Sequence, residues 1–74
     1  MNPELKKLAI WGLELASSPR PERDGLEDYF TAIRGRENLR LRLRDQEDGL
    51  EYYVTLLDIP YLGNKSAALA EIIG

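Results

Sequence analysis

Residues 39–44 read Leu-Arg-Leu-Arg-Leu-Arg, a strict alternation of apolar and basic side chains. Successive side chains of a β-strand point to opposite faces of its sheet, so this period of two predicts a strand with one leucine face and one arginine face. We expect the leucines to lie in the core of the fold. We expect the arginines to form a surface that is available to a partner.

The length and composition predict one small domain that spans residues 1–74. A chain of 74 residues buries only about 60% of its unfolded surface, so its own core is marginal. The chain has no cysteine and no histidine, which excludes disulfides and the usual zinc ligands. We therefore expect association between copies to supplement the core.

Net charge and hydropathy limit the class of partner. The formal net charge of −3 argues against a protein that coats nucleic acid. No apolar run is long enough to span a membrane, and the N-terminal region lacks a signal-peptide cleavage pattern. We expect a cytoplasmic protein with no membrane partner.

A second strand is predicted at residues 50–58, after the turn residues Gln-Glu-Asp-Gly at 46–49. A four-residue loop pairs Asp45 with Leu50 and fixes the register of the hairpin. Both faces are then consistent, because leucines meet apolar residues and the arginines fall together. The predicted pairs are Leu43 with Tyr52, Leu41 with Val54, Leu39 with Leu56, Arg44 with Glu51, Arg42 with Tyr53, and Arg40 with Thr55.

Three helices are predicted around the hairpin, which gives an α+β fold in the order α-α-β-β-α with the helices packed on the leucine face. The first begins at Asn2 and Pro3 and carries Gly12 in its apolar arc, where a neighbouring element can approach closely. A polar linker at 17–23 follows. The second starts with a capping box at Asp24 and Glu27 and ends at the left-handed cap Gly35.

The third predicted helix lies at the C-terminal end of the sequence. Asn64 or Ser66 can cap it, and it bears Leu69, Ile72 and Ile73 at helical spacing. Since two strands alone are rarely a stable sheet, we expect a homodimer in which the hairpin edges of two copies pair into four strands.

The predicted binding residues form two sets. The basic and aromatic face can bind nucleic acid or protein, because its arginines lie about 6.6 Å apart along a strand and its tyrosine can stack on a base. The alternative is a solvated face on which Glu51 pairs with Arg44. The second set is an acidic turn that could dock on a basic surface. The first set is Arg36, Arg40, Arg42, Arg44 and Tyr53, and the second is Asp45, Glu47 and Asp48.

Other apolar side chains also fall outside the predicted core. Ile10, Tyr53 and Tyr61 are expected to be exposed, and Trp11 lies at the rim of the core. Aromatic residues of this kind are favoured interface anchors.

The sequence carries no pattern typical of catalysis, of a metal site or of a cofactor, so we expect none of the three. The expected function is a small non-enzymatic protein-binding module. It would act as a stoichiometric inhibitor or regulator of a larger protein or nucleoprotein complex, as anti-CRISPR and other phage anti-defence proteins, antitoxins and immunity proteins do. The alternative is a nucleic-acid-binding protein that uses the arginine-bearing β-ribbon.

Overall fold

The computed structural model describes residues 3–17, 23–63 and 65–74, without the side chains of residues 23 and 24. The α+β class is confirmed. The caps predicted for Asn2, Asp24 and Asn64, and most of the predicted linker, lie outside what is described. The elements in chain order are helix α1 (Pro3–Ser17), helix α2 (Arg23–Ala32), strand β1 (Arg40–Asp45), strand β2 (Glu51–Thr55), a 3-10 helix (Ile59–Tyr61) and strand β3 (Ala67–Ile72).

Strands β1 and β2 form the predicted antiparallel hairpin in the predicted register, from Arg44 opposite Glu51 to Arg40 opposite Thr55. The turn closes with Gly49 at a φ of +75°, a conformation that favours glycine. Strand β2 is shorter than predicted. It ends at Thr55 because the backbone N–H of Asp58 donates to the Thr55 carbonyl (3.1 Å) and turns the chain into the 3-10 helix.

The predicted C-terminal helix is wrong, since this segment is strand β3. β3 pairs antiparallel with β1, and the sheet order is β2-β1-β3. Leu43 pairs with Leu69 and Leu41 pairs with Ile72, with a bulge between them. The bulge adds one residue to β3, so two inward side chains stand three positions apart, as on one face of a helix. The alanine-rich composition also favours a helix, but pairing with β1 outweighs that propensity.

The leucine face of the sheet is covered by two helices, where three were predicted. Leu41 and Leu43 have no exposed surface, and they share one core with Ala9 and Leu13 of α1 and with Tyr29 of α2. The 3-10 helix closes the end of this layer through Ile59, which is also fully buried. Among the described residues, neither helix is long and apolar enough to cross a membrane.

Gly12 is a point of close approach in the core, as its place in the apolar arc predicted. A Cβ atom at Gly12 would lie 2.8 Å from the Tyr29 hydroxyl oxygen and 2.8 Å from Cγ2 of Ile59. The Tyr29 hydroxyl passes α1 here and donates a hydrogen bond of 2.5 Å to the Leu56 carbonyl. Burial raises the pKa of Tyr29 well above the ordinary value of 10.0. Gly12 therefore lets Tyr29 connect α2, α1 and the end of β2.

Candidate functional site

The candidate site is the outer face of the sheet, which carries the alternate residues that do not enter the core. The helices lie on the opposite face with Leu41 and Leu43. Outward positions on β1 are the three predicted arginines, and their neighbours come from both edge strands. The outer face, as we use the term, consists of Arg40, Arg42, Arg44, Glu51, Tyr53, Thr55, Ala68, Glu71 and Ile73.

Arg42 lies at the centre of the outer face and bridges the two edge strands. Its Nη1 is 3.1 Å from Oε2 of Glu51 on β2, and its Nη2 is 3.1 Å from Oε2 of Glu71 on β3. Its Nε atom is buried and has no hydrogen-bond partner among the described residues. The half-buried guanidinium of Arg42 is held by two carboxylates. Because these carboxylates already balance its positive charge, it attracts an anionic ligand only weakly.

Arg44 and Arg40 flank this centre and are more exposed. Nη2 of Arg44 lies 3.5 Å from Oε1 of Glu51, which is the pair that the alternative, solvated face predicted. Arg40 forms no ion pair with the part of the chain that the structure describes. Arg40 and Arg44 are thus the two basic side chains of the face that a partner can reach.

Tyr53 and Ile73 supply the apolar part of the outer face. Tyr53 lies opposite Arg42 and is 64% exposed, and Ile73, 41% exposed, lies beside Arg40 through a hydrogen bond of 2.8 Å from its N–H to the Arg40 carbonyl. Tyrosine and arginine are enriched at protein interfaces relative to the rest of a protein surface. The exposure predicted for Ile10 and Tyr61 is confirmed as well.

Arg36 does not continue the row of arginines. It lies in the loop before β1, where its Nη1 is 3.0 Å from Oε1 of Glu4 on α1. Its guanidinium is therefore directed at the first helix. The structure brings Arg40, Arg42, Arg44 and Tyr53 together on one face and leaves Arg36 outside it.

The acidic turn has a local structural role. The Asp45 carboxylate accepts a hydrogen bond from the Glu47 N–H (2.8 Å), and the Asp48 carboxylate accepts one from the Leu50 N–H (2.9 Å). Such bonds from Asp to nearby backbone N–H groups are typical of turns. The Glu47 side chain makes no hydrogen bond with the described residues, so Glu47 is the acidic group most available to a partner.

Sequence reasoning missed Glu71 and Ile73, because it placed them on a helix. The signal that could have found them is the inward pair Leu69 and Ile72, whose three-residue spacing fits a bulged strand as well as a helix. With β3 in place, Glu71 falls opposite Arg42 and becomes its second partner.

Away from the sheet, residues 35–39 and Gly74 line a shallow concavity of about 390 Å³. One oxygen of Glu37 is buried there without a hydrogen-bond partner among the described residues. The described residues contain no group of three or more His, Cys, Asp or Glu side chains placed to hold a metal ion. A single carboxylate supplies neither a nucleophile and base pair nor a ligand set.

The fold and its surface define a small α+β domain with helices on one face of a three-stranded sheet and a charged, partly aromatic face on the other. Comparisons with protein-family models, with curated proteins and with solved structures found no match to this chain.

Proposed function

We propose that this chain is a non-enzymatic protein-binding module that acts as a stoichiometric inhibitor or regulator of a larger protein or nucleoprotein complex in the cytoplasm. The outer face is the proposed contact surface, with Arg40, Arg44 and Tyr53 as the residues that touch the partner. The acidic turn, with Glu47 at its tip, is proposed as a second and weaker contact.

The observation that supports this proposal is the internal neutralisation of the arginine row. Arg42 is held between two carboxylates and Arg44 lies beside one of them. Three guanidinium groups and two carboxylates leave the face with a net charge close to +1. Mixed charges around an exposed tyrosine are suited to a protein surface, where each charge is matched separately and the aromatic ring fills a pocket.

Binding of nucleic acid through the arginine ribbon is the alternative function. That binding draws its affinity from several cationic groups, each of which neutralises one phosphate. The two glutamates of the outer face would repel a phosphate backbone that lies along the row.

The test is capture of partners from cells of the source organism, with the tagged chain as bait and with or without nuclease. We expect a stoichiometric protein partner that survives nuclease, and its recovery should fall at least about tenfold with Arg40→Ala/Arg44→Ala, a loss of about 1.4 kcal/mol or more. The control is Lys6→Ala/Lys7→Ala, which removes the same charge from exposed positions on α1.

Equal recovery by the two double variants would overturn the proposed contact surface, because loss of the two charges from the outer face would then matter no more than their loss from α1. Loss of every partner after nuclease would favour the nucleic-acid alternative. A purified partner would then allow the stoichiometry to be measured by titration calorimetry, in which an inhibitor or regulator of this type should saturate near one copy per site.

A further inference from the structure

The two edges of the sheet differ in a way that indicates a partner for one of them. The β3 edge is interrupted by the bulge near Ala70, which disturbs the regular row of backbone groups that an added strand needs. The β2 edge reads Glu-Tyr-Tyr-Val-Thr, with no proline, lysine or glycine, and its pairing with β1 shows no irregularity. Proteins usually protect such edges with charges, prolines or bulges.

The hydrogen bonds of the hairpin determine which backbone groups of β2 point away from the sheet. The Asp45 N–H donates to the Leu50 carbonyl (2.9 Å), and the Leu56 N–H donates to the Leu39 carbonyl (3.1 Å). Since hydrogen bonding alternates along an antiparallel pair, the even-numbered residues 50 to 56 bond to β1. The N–H groups of Glu51, Tyr53 and Thr55 therefore point away from the sheet, and they make no hydrogen bond with the described residues.

We propose that the β2 edge pairs with the β2 edge of a second copy of this chain, antiparallel and about a two-fold axis at Tyr53. This register uses the whole five-residue strand. It places Tyr53 opposite the partner's Tyr53, and Glu51 opposite the partner's Thr55. The two three-stranded sheets become one sheet of six strands, where the sequence alone predicted four.

The inner side of this junction is apolar on both sides. Tyr52 and Val54 are half-buried and pack against the core of their own copy. In the proposed register Tyr52 lies opposite the partner's Val54, and the reverse holds across the axis. Aromatic and β-branched side chains form favourable cross-strand pairs, so the core layer continues from one copy to the next.

The outer side brings no like charges opposite each other. Arg40 lies beside Thr55 in its own copy and forms no ion pair with the described residues. Across the axis Thr55 neighbours the partner's Glu51, a carboxylate two strands from Arg40 that also pairs with Arg42 and Arg44 of its own copy. An axis at Glu51 would place two glutamates opposite each other, which is unfavourable, and would shorten the overlap. The axis at Tyr53 therefore gives the longest overlap and places no like charges opposite each other.

The first experiment is sedimentation velocity of the purified chain up to high micromolar concentration. We expect a dimer, and we expect Tyr53→Lys to sediment as a monomer, because the two-fold axis would bring two ammonium groups together. The control is Tyr61→Lys on the 3-10 helix, since Tyr61 is as exposed as Tyr53 (67% against 64%) but lies outside β2, where its ring stacks on Phe30 of α2. Tyr61→Lys should remain a dimer.

The second experiment reports the register and does not depend on the stability of the lysine variant. The chain has no cysteine, so Tyr53→Cys introduces a single thiol. Residues opposite each other in a hydrogen-bonded antiparallel pair have Cα atoms about 5.5 Å apart, within the range of a disulfide. Mild oxidation should link most of Tyr53→Cys as a covalent dimer and leave Tyr61→Cys mainly unlinked.

A monomeric wild type at all concentrations would overturn the proposal, as would a dimer that Tyr53→Lys leaves intact or equal linking of the two cysteine variants. Both experiments use the purified chain alone, so their outcome is independent of the function proposed above.

Discussion

The two faces of β1 are built from alternate residues of one six-residue strand, yet they lie in opposite environments. The leucines on the inner face are fully buried under two helices, and each replaces contact with water by contact with several elements. On the outer face the arginines meet only side chains of the neighbouring strands, and even Arg42, the most enclosed of them, stays partly exposed.

The two faces therefore contribute differently to the stability of the fold. Burial of a leucine side chain contributes about 1.5–3 kcal/mol, whereas a surface ion pair contributes about 0–1 kcal/mol. The inner face therefore carries most of the stability of the sheet. Substitutions that change the charge of the outer face should alter the free energy of unfolding little. Substitutions on either face of β1 test this difference.

The largest expected effect comes from opening a cavity on the inner face. Leu43→Ala should lower the free energy of unfolding by about 2–5 kcal/mol, while Arg44→Ala, the next residue on the outer face, should change it by no more than about 0.5 kcal/mol. Urea unfolding followed by circular dichroism measures both. Leu43→Val gives an intermediate value if the alanine variant does not fold. Similar losses on the two faces would contradict the division of roles.

The second effect concerns the closest contact behind the inner face. Gly12→Ala should destabilise the fold by about 1–3 kcal/mol, because its Cβ would lie 2.8 Å from Ile59 and from the Tyr29 hydroxyl. In an open helix the same change would stabilise by up to about 1 kcal/mol. Gly25→Ala on α2 is the matched control, since its Cβ would meet only Leu15, at 3.6 Å, and should have a neutral or stabilising effect. A stabilised Gly12→Ala would show that the contact yields.

The third effect isolates the hydroxyl that connects the inner layer to β2. Tyr29→Phe keeps the ring but leaves the Leu56 carbonyl without its donor, so we expect a loss of about 1–2 kcal/mol at neutral pH. Thermal and urea unfolding at pH 7 measure this loss. Tyr61→Phe, which removes an exposed hydroxyl, should change stability by less than about 0.5 kcal/mol.

The raised pKa of Tyr29 predicts that the free energy of unfolding depends on pH in the alkaline range. Burial raises the pKa of Tyr29 in the folded state above the ordinary 10.0, so the folded chain keeps a proton that the unfolded chain releases. The stabilisation is fully present below pH 10 and is lost as the pH rises above it, by about 1.4 kcal/mol per pH unit for this group. The advantage of wild type over Tyr29→Phe should therefore shrink above pH 10. An advantage that stays constant to pH 11 would contradict the raised pKa.

The hairpin and the last strand show what the sequence can and cannot predict. The register of β1 on β2 follows from two constraints that agree, the four-residue turn and the strict alternation of leucine and arginine, and a slip of one residue would break both. The last strand has no such constraint. Its bulge gives Leu69 and Ile72 the spacing of one helix face. The segment is a strand because it pairs with the edge of β1 that β2 leaves open.

The wrong prediction of a C-terminal helix also limited the prediction of the candidate site. The pairing of Arg44 with Glu51 was accessible because both residues belong to the hairpin. The more extensive network around Arg42 was not, since Glu71 reaches it only when β3 lies beside β1. Contacts between residues far apart in the sequence depend on a topology that local patterns do not determine.

The smallest expected effect tests whether that network matters to the sheet. Arg42→Met keeps the aliphatic stem, removes two ion pairs and leaves Glu51 and Glu71 facing each other across β1. All three side chains are about a third exposed or more, so solvent screening limits the loss to about 0.5–1 kcal/mol at low salt. The loss should decrease in 1 M salt, where the Debye length is about 3 Å. Arg44→Met, which removes one longer ion pair, should lose less. If the two losses were equal, Arg42 would be an ordinary surface arginine; if the loss from Arg42→Met were larger and independent of salt, the half-buried stem and not the charge would hold the edge strands together.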